Sequence, residues 1–371
     1  MRILFLINEL EDVSFDRQVL ELVSAMPQSD RQYYVYSLRL GGVLQAPFHK
    51  RLGRRFYVSK GTLISDIMTI AHLVRREHID VIQTPAVRSD TMAIIVRLLL
   101  FPRPLVHIAV RHNFVFTEKT FYHFVKNIFY VLSCHLVDLN ICVASHIQKS
   151  THEQLFVPMK KVQVIQNGVL VKRNETAARR IRLRLHLVKN RPVILFAGAF
   201  IDRKNPLVLI QALRHLHTKN YCIFLGTGPL AYDMRRAIQN LGLEHATFIE
   251  EHRDIAGYLS LADIVVLPSR SEGLPLVVLE AMHAGIPCVV SDIPAHRELI
   301  QNRQNGLVAP SGFPEPLAQA IQTVLASSLL RRQIGRKAKE TATKFYGFSR
   351  MIRTYETLYD GLRDRKETMP V

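Results

Sequence analysis

The chain has 371 residues, 49 Lys and Arg against 31 Asp and Glu, and a formal net charge of +18. That length exceeds what a single hydrophobic core usually serves, so two or more domains are expected. A hydrophobic fraction of 48% with 17 Gly and 17 Pro is globular composition, which excludes a disordered, collagen-like or low-complexity chain.

The first apolar run, Ile3-Leu4-Phe5-Leu6-Ile7, is too short for a signal peptide and reads as a buried strand. Further strands are expected over 33–38, 81–84, 105–110, 139–144 and 162–166, with helices over 16–26, 65–77, 89–100, 119–134 and 146–155. Two longer apolar stretches fail as membrane spans. Residues 92–110 are broken by Arg97, Pro102, Arg103 and Pro104, and 128–147 contain His135, Asp138 and Asn140. A span needs ~20 apolar residues with almost no charge. A soluble or peripheral protein is therefore expected. Asn167-Gly168 closes the first half as a turn.

Residues 171–191 follow, with 8 basic residues and 1 acidic residue, the most basic stretch of the chain. It reads either as a solvated linker with a helix or as a contact for anionic lipid or an anionic substrate. The strand and helix grammar then restarts. Strands are expected over 193–198, 222–226, 246–250, 264–268 and 287–291. Helices are expected over 205–217, 230–241, 254–261, 275–284, 295–300, 314–326 and 348–364. Alternating β-α units predict an α/β protein with two doubly wound halves, whose ligand lies at the carboxyl ends of the strands, in the cleft between them. The four Cys (Cys134, Cys142, Cys222 and Cys288) lack any Cys-x-x-Cys. They read as small core residues in a reducing compartment, not as catalytic thiols, a zinc ribbon or a disulfide framework.

The most informative stretch is SRSEGLPLVVLEAMHAGIPCVVSDIPAHRE, residues 269–298. A strand ends at Pro268, a polar loop carries Glu272 and Gly273, and Pro275 suits the first turn of a helix. Backbone N–H groups and the positive end of that helix make an anion site, most naturally one for phosphate. Gly273 lets a ligand approach the backbone. Glu280 sits among apolar neighbours, and a buried carboxylate there needs partners such as ribose or sugar hydroxyls.

The pair Glu272 and Glu280 matches the Glu-x7-Glu signature of family 4 glycosyltransferases, which the sequence resembles. Phe196-Ala197-Gly198 with Lys204 is similar to the family's glycine–lysine motif, and Gly226-Thr227-Gly228-Pro229 to its Gly-x-Gly-Pro turn. Ala262-Asp263, Ser291-Asp292, Glu298 and Asn305-Gly306-Leu307-Val308 also fit, as do Asp138, Ser145 and Asn167-Gly168-Val169 in the first half. The likeness is close over 138–365 and loose before that.

The resemblance implies the GT-B fold, with two Rossmann-like domains facing across a cleft. It implies an acceptor domain over 1–170, a basic linker over 171–190, a donor domain over 191–345, and a last helix over 346–371 that crosses back. It implies retaining transfer of a hexose-type unit from a nucleotide-diphosphate sugar to a carbohydrate or lipid-linked acceptor, in bacterial surface polysaccharide or lipopolysaccharide assembly. Glu272 would lie near the donor sugar hydroxyls, and Glu280 would bind ribose. Gly273 and Leu274 would offer backbone N–H groups, and Lys204 would neutralise the diphosphate. No Asp-x-Asp motif occurs, so no metal and no cofactor are expected; the nucleotide sugar is a substrate.

Three positions depart from or extend the pattern. Ala199 stands where the family usually has Arg, so Arg203 is expected to supply the second positive charge. The glycine loop after the first strand is replaced by the acidic run 8–17. Arg111-His112-Asn113 fits the slot of a histidine that hydrogen-bonds the donor sugar. By position alone, His252 and Arg253 would face the base. The charge distribution suits a cytoplasmic enzyme held at the cytoplasmic face of an anionic membrane. Rival readings are a basic nucleic-acid-binding protein, an epimerase or phosphorylase of the same fold, and a nucleotide-sugar-binding pseudoenzyme. Nucleic acid is not the expected partner, because no zinc finger, helix-turn-helix or RNA-recognition motif is present.

Overall fold

The computed structural model describes the chain apart from residues 11–13, 28–29, 113–120, 172, 252–254 and 368–371. It divides into two compact units, Met1–Gln166 with Met351–Val371, and Asn167–Arg350.

The first unit contains β1 (Arg2–Ile7), α1 (Ser14–Ala25), β2 (Gln32–Ser37), α2 (Gln45–Leu52), β3 (Phe56–Val58), α3 (Leu63–Arg76), β4 (Val81–Thr84), α4 (Val87–Leu99), β5 (Val106–Arg111), α5 (Phe121–Leu136), β6 (Leu139–Cys142), α6 (Ser145–Glu153) and β7 (Val162–Val164). The strands form one parallel sheet in the order β3-β2-β1-β4-β5-β6-β7. Ile3 to Ile7 are all fully buried, as a central strand covered by helices on both faces must be.

Helix α3 shows how one cover is built. Thr62 caps it by accepting from the Ser65 N–H at 3.2 Å. Ile67, Ile70, Ala71 and Val74 then face inward and pack with Leu4, Tyr36 and Ile82. Helix α2 and strand β3 were not expected. Both are short: β3 has three residues at the sheet edge, and α2 buries only Phe48 and Leu52.

The second unit contains α7 (Glu175–Arg184), β8 (Val193–Ala197), α8 (Pro206–Leu213), β9 (Tyr221–Leu225), α9 (Ala231–Asn240), β10 (Thr247–Glu250), α10 (Ile255–Leu261), β11 (Ile264–Leu267), α11 (Leu276–His283), β12 (Cys288–Ser291), α12 (Pro294–Leu299), β13 (Leu307–Ala309), α13 (Pro314–Leu325) and α14 (Ser328–Phe345). Its parallel sheet runs β10-β9-β8-β11-β12-β13. The chain leaves β8 toward β9 and β10, then returns to β11 on the other side. The β8/β11 boundary is therefore the topological switch point, where open parallel sheets bind ligands. In the first unit the same reversal falls between β1 and β4.

Residues 171–190 are not a bare linker. Helix α7 buries Ala178 and Ile181, and a Cβ on Gly257 of α10 would stand 2.8 Å from Ala177 Cβ. Part of the segment's charge is also used internally. Arg184 pairs with Glu250 and reaches the Tyr258 hydroxyl at 3.0 Å, and Arg191 stacks 4.2 Å over Tyr221.

Helix α14 is the largest element the sequence reading missed. Its inner face is Ile334, Gly335, Ala338 and Ala342, too small to show as an apolar stripe. Small residues are needed because a Cβ on Gly335 would lie 2.1 Å from the Gly285 carbonyl oxygen, at the end of α11. The last helix, α15 (Phe348–Glu367), carries Tyr359 into the first unit, where its hydroxyl donates to Gln83 Oε1 at 2.7 Å. Asp360 pairs there with Arg31.

Candidate functional site

The site residues of the second unit gather at the carboxyl ends of β8, β9 and β11. The loops after β8 and β9 are zipped together. Gly198 N–H donates to Leu225 O at 2.9 Å, Phe200 N–H to Thr227 O at 2.7 Å, and Leu230 N–H to Phe200 O at 3.0 Å. This closeness sets the glycines. A Cβ on Gly226 would lie 2.1 Å from Gly198 O, and one on Gly228 would lie 2.5 Å from Phe200 O. Their φ values of 149° and 155° also favour glycine.

The β8 loop then makes a short 3-10 turn, Asp202–Lys204, and Asn205 at φ 51° starts α8 with Pro206 in its first turn. That turn aims Arg203 and Lys204 at the β11 loop. Lys204 Nζ lies 2.6 Å from Glu272 Oε1. Arg203 Nη1 donates to Glu272 Oε2 at 3.1 Å and to Ser271 O at 2.9 Å. Ser269 Oγ donates to Glu272 Oε1 at 2.6 Å, and Ser269 O in turn accepts from Ser291 Oγ. Burial works against the charged carboxylate of Glu272. Lys204, Arg203 and the hydrogen bonds from Lys204 and Ser269 outweigh it, so the Glu272 pKa falls below the usual carboxylate value.

Gly273, Leu274 and Pro275 follow, all buried. Pro275 stands one place before the first helical residue, not inside the turn, and its carbonyl accepts from Val278 and Leu279. No side chain caps α11. Its first N–H groups and positive dipole end lie two residues beyond the Glu272–Gly273 loop. Glu280 is buried within α11. Gly198, Arg203, Lys204, Gly226, Gly228, Glu272, Gly273, Leu274, Pro275 and Glu280 thus belong to one region of one unit. Ser269 and Ser291, which fix Glu272 from below, were given no role by the sequence, although Ser291-Asp292 matches the family pattern. Only their place at strand ends could have signalled them. Asn205 was also missed, and its buried Nδ2 has no hydrogen-bond partner among the described residues.

His112 lies in the first unit, directly after β5, and burial pulls its pKa down to about 4, so its imidazole is neutral. Beneath it is a polar cluster that the sequence did not announce. Arg111, fully buried, donates from Nη1 to Asp90 Oδ2 at 2.5 Å and from Nε to Asn140 Oδ1 at 2.8 Å, and its guanidinium lies 5.1 Å over Tyr130. Thr84 Oγ1 bonds to Asp90 at 2.5 Å and to His107 Nε2 at 2.9 Å.

The acidic run after β1 also differs from its formal charge. Burial, with Glu9 adding to it, raises the Asp16 pKa to about 8, so this acid is protonated at neutral pH. Arg17 pairs with Glu21 at 3.1 Å. His252 and Arg253 lie outside the described residues. Among the described residues no group of three or more His, Cys, Asp or Glu is arranged to hold a metal, and no helix is long and apolar enough to cross a membrane.

Two doubly wound parallel sheets, one with lysine, arginine and glutamate at its switch point, define a GT-B glycosyltransferase. Comparison with known proteins narrows the class. A family model described as Glycosyl transferases group 1 matches residues 177–341, and one described as Glycosyltransferase Family 4 matches residues 16–173. The chain belongs to the family 4 glycosyltransferases.

Among its relatives is UDP-Gal:alpha-D-GlcNAc-diphosphoundecaprenol alpha-1,3-galactosyltransferase of Escherichia coli, 27% identical over 67% of this chain and 67% of that one. Another is N-acetyl-alpha-D-glucosaminyl L-malate synthase of Bacillus anthracis, 28% identical over 62% of this chain. The match spans only 61% of that second relative's length. The Anabaena protein HepE, solved in complex with UDP and glucose, shares the fold with a TM-score of 0.82 at 20% identity, over 97% of this chain and all of that one.

Proposed function

We propose that this enzyme moves a sugar, with retention at the anomeric carbon, from a nucleoside-diphosphate sugar to a carbohydrate or lipid-linked acceptor in bacterial surface polysaccharide or lipopolysaccharide assembly. The observation that carries the reading is the pair of cations, Lys204 and Arg203, held on the buried Glu272 at the switch point, next to an uncapped helix start. When a glycosyl bond to a diphosphate breaks, negative charge grows on the leaving oxygens. Fixed cations and aligned N–H groups aimed there lower the barrier without reorganising. In this reading Lys204 and Arg203 balance that charge, with no divalent ion and no cofactor. Glu272 then faces the donor sugar hydroxyls, and Glu280 takes the ribose hydroxyl pair. His112, neutral at physiological pH, hydrogen-bonds a sugar hydroxyl.

The lipid-linked acceptor is supported by the relative whose name specifies a diphosphoundecaprenol substrate. With it we place the enzyme at an anionic membrane surface, on the cytoplasmic side. The test is donor hydrolysis and transfer across UDP-, GDP- and ADP-sugars, with a thermal-shift panel of the same donors. Stabilisation and turnover with one donor are expected. A Glu280→Ala enzyme that keeps full activity would remove Glu280 from the site. Failure of every donor to bind would overturn the reading.

A further inference from the structure

Exposed apolar side chains concentrate on one part of the first unit. Helix α5 buries Tyr130, Cys134 and its neighbour Val137 on the inner side. Yet its outer side carries Ile128, Phe129, Leu132 and Leu136, each 44% to 54% exposed. The i, i+4, i+8 spacing of Ile128, Leu132 and Leu136 makes them a single row. A surface helix normally turns polar residues outward, so this helix is apolar on the face that should meet water.

The row continues past the end of the helix. Leu98 at the end of α4 is 72% exposed, Phe101 just after it 83%, and Phe156 after α6 81%. The three helix ends are tied together. Arg97 Nη1 donates to Leu136 O at 3.3 Å, and His135 Nε2 lies 2.9 Å from Leu155 O. Lys161 Nζ donates to the carbonyls of His135 and Val137 at 2.8 and 3.1 Å. The apolar side chains are thus one patch along α5 and the amino ends of β5 to β7, away from the strand ends that carry His112. Contiguous exposed apolar surface of this kind marks an interaction site. Arg103 and Lys160 border it beside Glu153, together with Arg97, which is paired with Asp138 at 3.1 Å, and Lys161, which is held on the two carbonyls.

We propose that this face docks on an anionic lipid bilayer. The apolar row and the aromatic side chains Phe101 and Phe156 enter the boundary between headgroups and acyl chains, and the bordering cations meet lipid phosphates. The charge argues for a bilayer over a protein partner, because four cations stand at the margin of the patch against two acids, one of which, Asp138, is already neutralised by Arg97. The inference deepens the membrane-surface reading above and rests on it. It moves the contact from residues 171–191, several of whose arginines already serve the second unit, to α5 and its flanking loops.

The experiment is co-sedimentation of the full chain with vesicles of phosphatidylethanolamine and phosphatidylglycerol, and with phosphatidylcholine alone. The first variant combines Leu98→Ser, Phe101→Ser and Phe156→Ser. These positions are exposed, and the thermal midpoint verifies the fold. A second variant combines Arg103→Gln and Lys160→Gln. Wild type is expected to bind the anionic vesicles and to release them at high salt. The apolar variant should lose about tenfold or more in vesicle affinity, and the charge variant several-fold, with donor hydrolysis unchanged in both.

Unchanged vesicle binding by the apolar variant would overturn this face while leaving the membrane-surface reading standing. Loss only on Arg179→Gln with Arg180→Gln would return the contact to residues 171–191. A wild type that binds no vesicle overturns both. If wild type is a dimer in sedimentation, and the apolar variant is a monomer that still binds vesicles, the face belongs to a second copy of the chain.

Discussion

Two buried carboxyl groups at equivalent ends of the two sheets meet opposite fates. Asp16, after β1, is buried beside Glu9, and its pKa rises to about 8. Glu272, after β11, is equally enclosed, but Lys204 and Arg203 hold it ionised below the normal range. Burial alone favours the neutral acid in both places. What separates them is a three-residue turn, Asp202–Lys204, that delivers two cations to one and not to the other. The first unit does own a buried cation, Arg111, but spends it on Asp90 within the sheet. The same architecture therefore carries a closed ion pair in one unit and a presented one in the other.

The comparison is broken most directly at Asp90. Replacing it by Ala strands the Arg111 charge in the core and should cost about 3–5 kcal/mol, read as a lowered denaturant midpoint. A small loss would mean that the buried pair is not structural. Lys204→Met should act the other way round. The thermal midpoint should stay within a few degrees, while transfer slows roughly 10²- to 10³-fold in kcat. Arg203→Ala should slow transfer on the order of 10- to 100-fold, since its charge is shared with Ser271 O and is less enclosed. A near-normal rate would leave Lys204 as the sole cation that matters.

The smallest effect concerns Asp16. Its folded-state pKa lies above the unfolded value, so the native state holds the extra proton. That contribution is complete below about pH 4 and is lost as the pH rises toward about 8. Asp16→Asn should therefore flatten the decline, so that its stability relative to wild type rises between pH 5 and pH 8.5. Parallel stability curves for the two proteins would show that the acid is not buried in solution.

Sequence pattern and site were legible where backbone geometry dictates residue type. Gly198, Lys204, Gly226 and Gly228 were legible through their resemblance to the family's motifs, for which the structure supplies the reason, two loops in contact, and Glu272 through its place between a strand and a helix. The alternation of apolar runs also gave the long strands and helices close to their observed limits. The Asp90–Arg111 pair was not legible. Arg111 ends β5 and Asp90 lies in the first turn of α4, which follows the neighbouring strand β4, and neither has an unusual neighbour in sequence. Ser269 and Ser291 are ordinary residues until β11 and β12 lie side by side. Helix α14 stayed hidden because its contact face is built from Gly and Ala, which register as neither polar nor apolar. The segment 171–190 was hidden by its own charge, which masks the two buried positions, Ala178 and Ile181.

The zipped glycine loops have a mechanical consequence. With Gly226 and Gly228 pressed on the backbone of Gly198 and Phe200, the segments after β8 and β9 behave as one lever instead of two hinges. Any thermal excursion that carries Lys204 away from the Glu272 carboxylate must drag the neighbouring turn with it, against three backbone hydrogen bonds. The ammonium group is thus held to its position by stiffness inherited from a strand it does not belong to. Perturbations of the two loops should combine non-additively, as parts of a single body do.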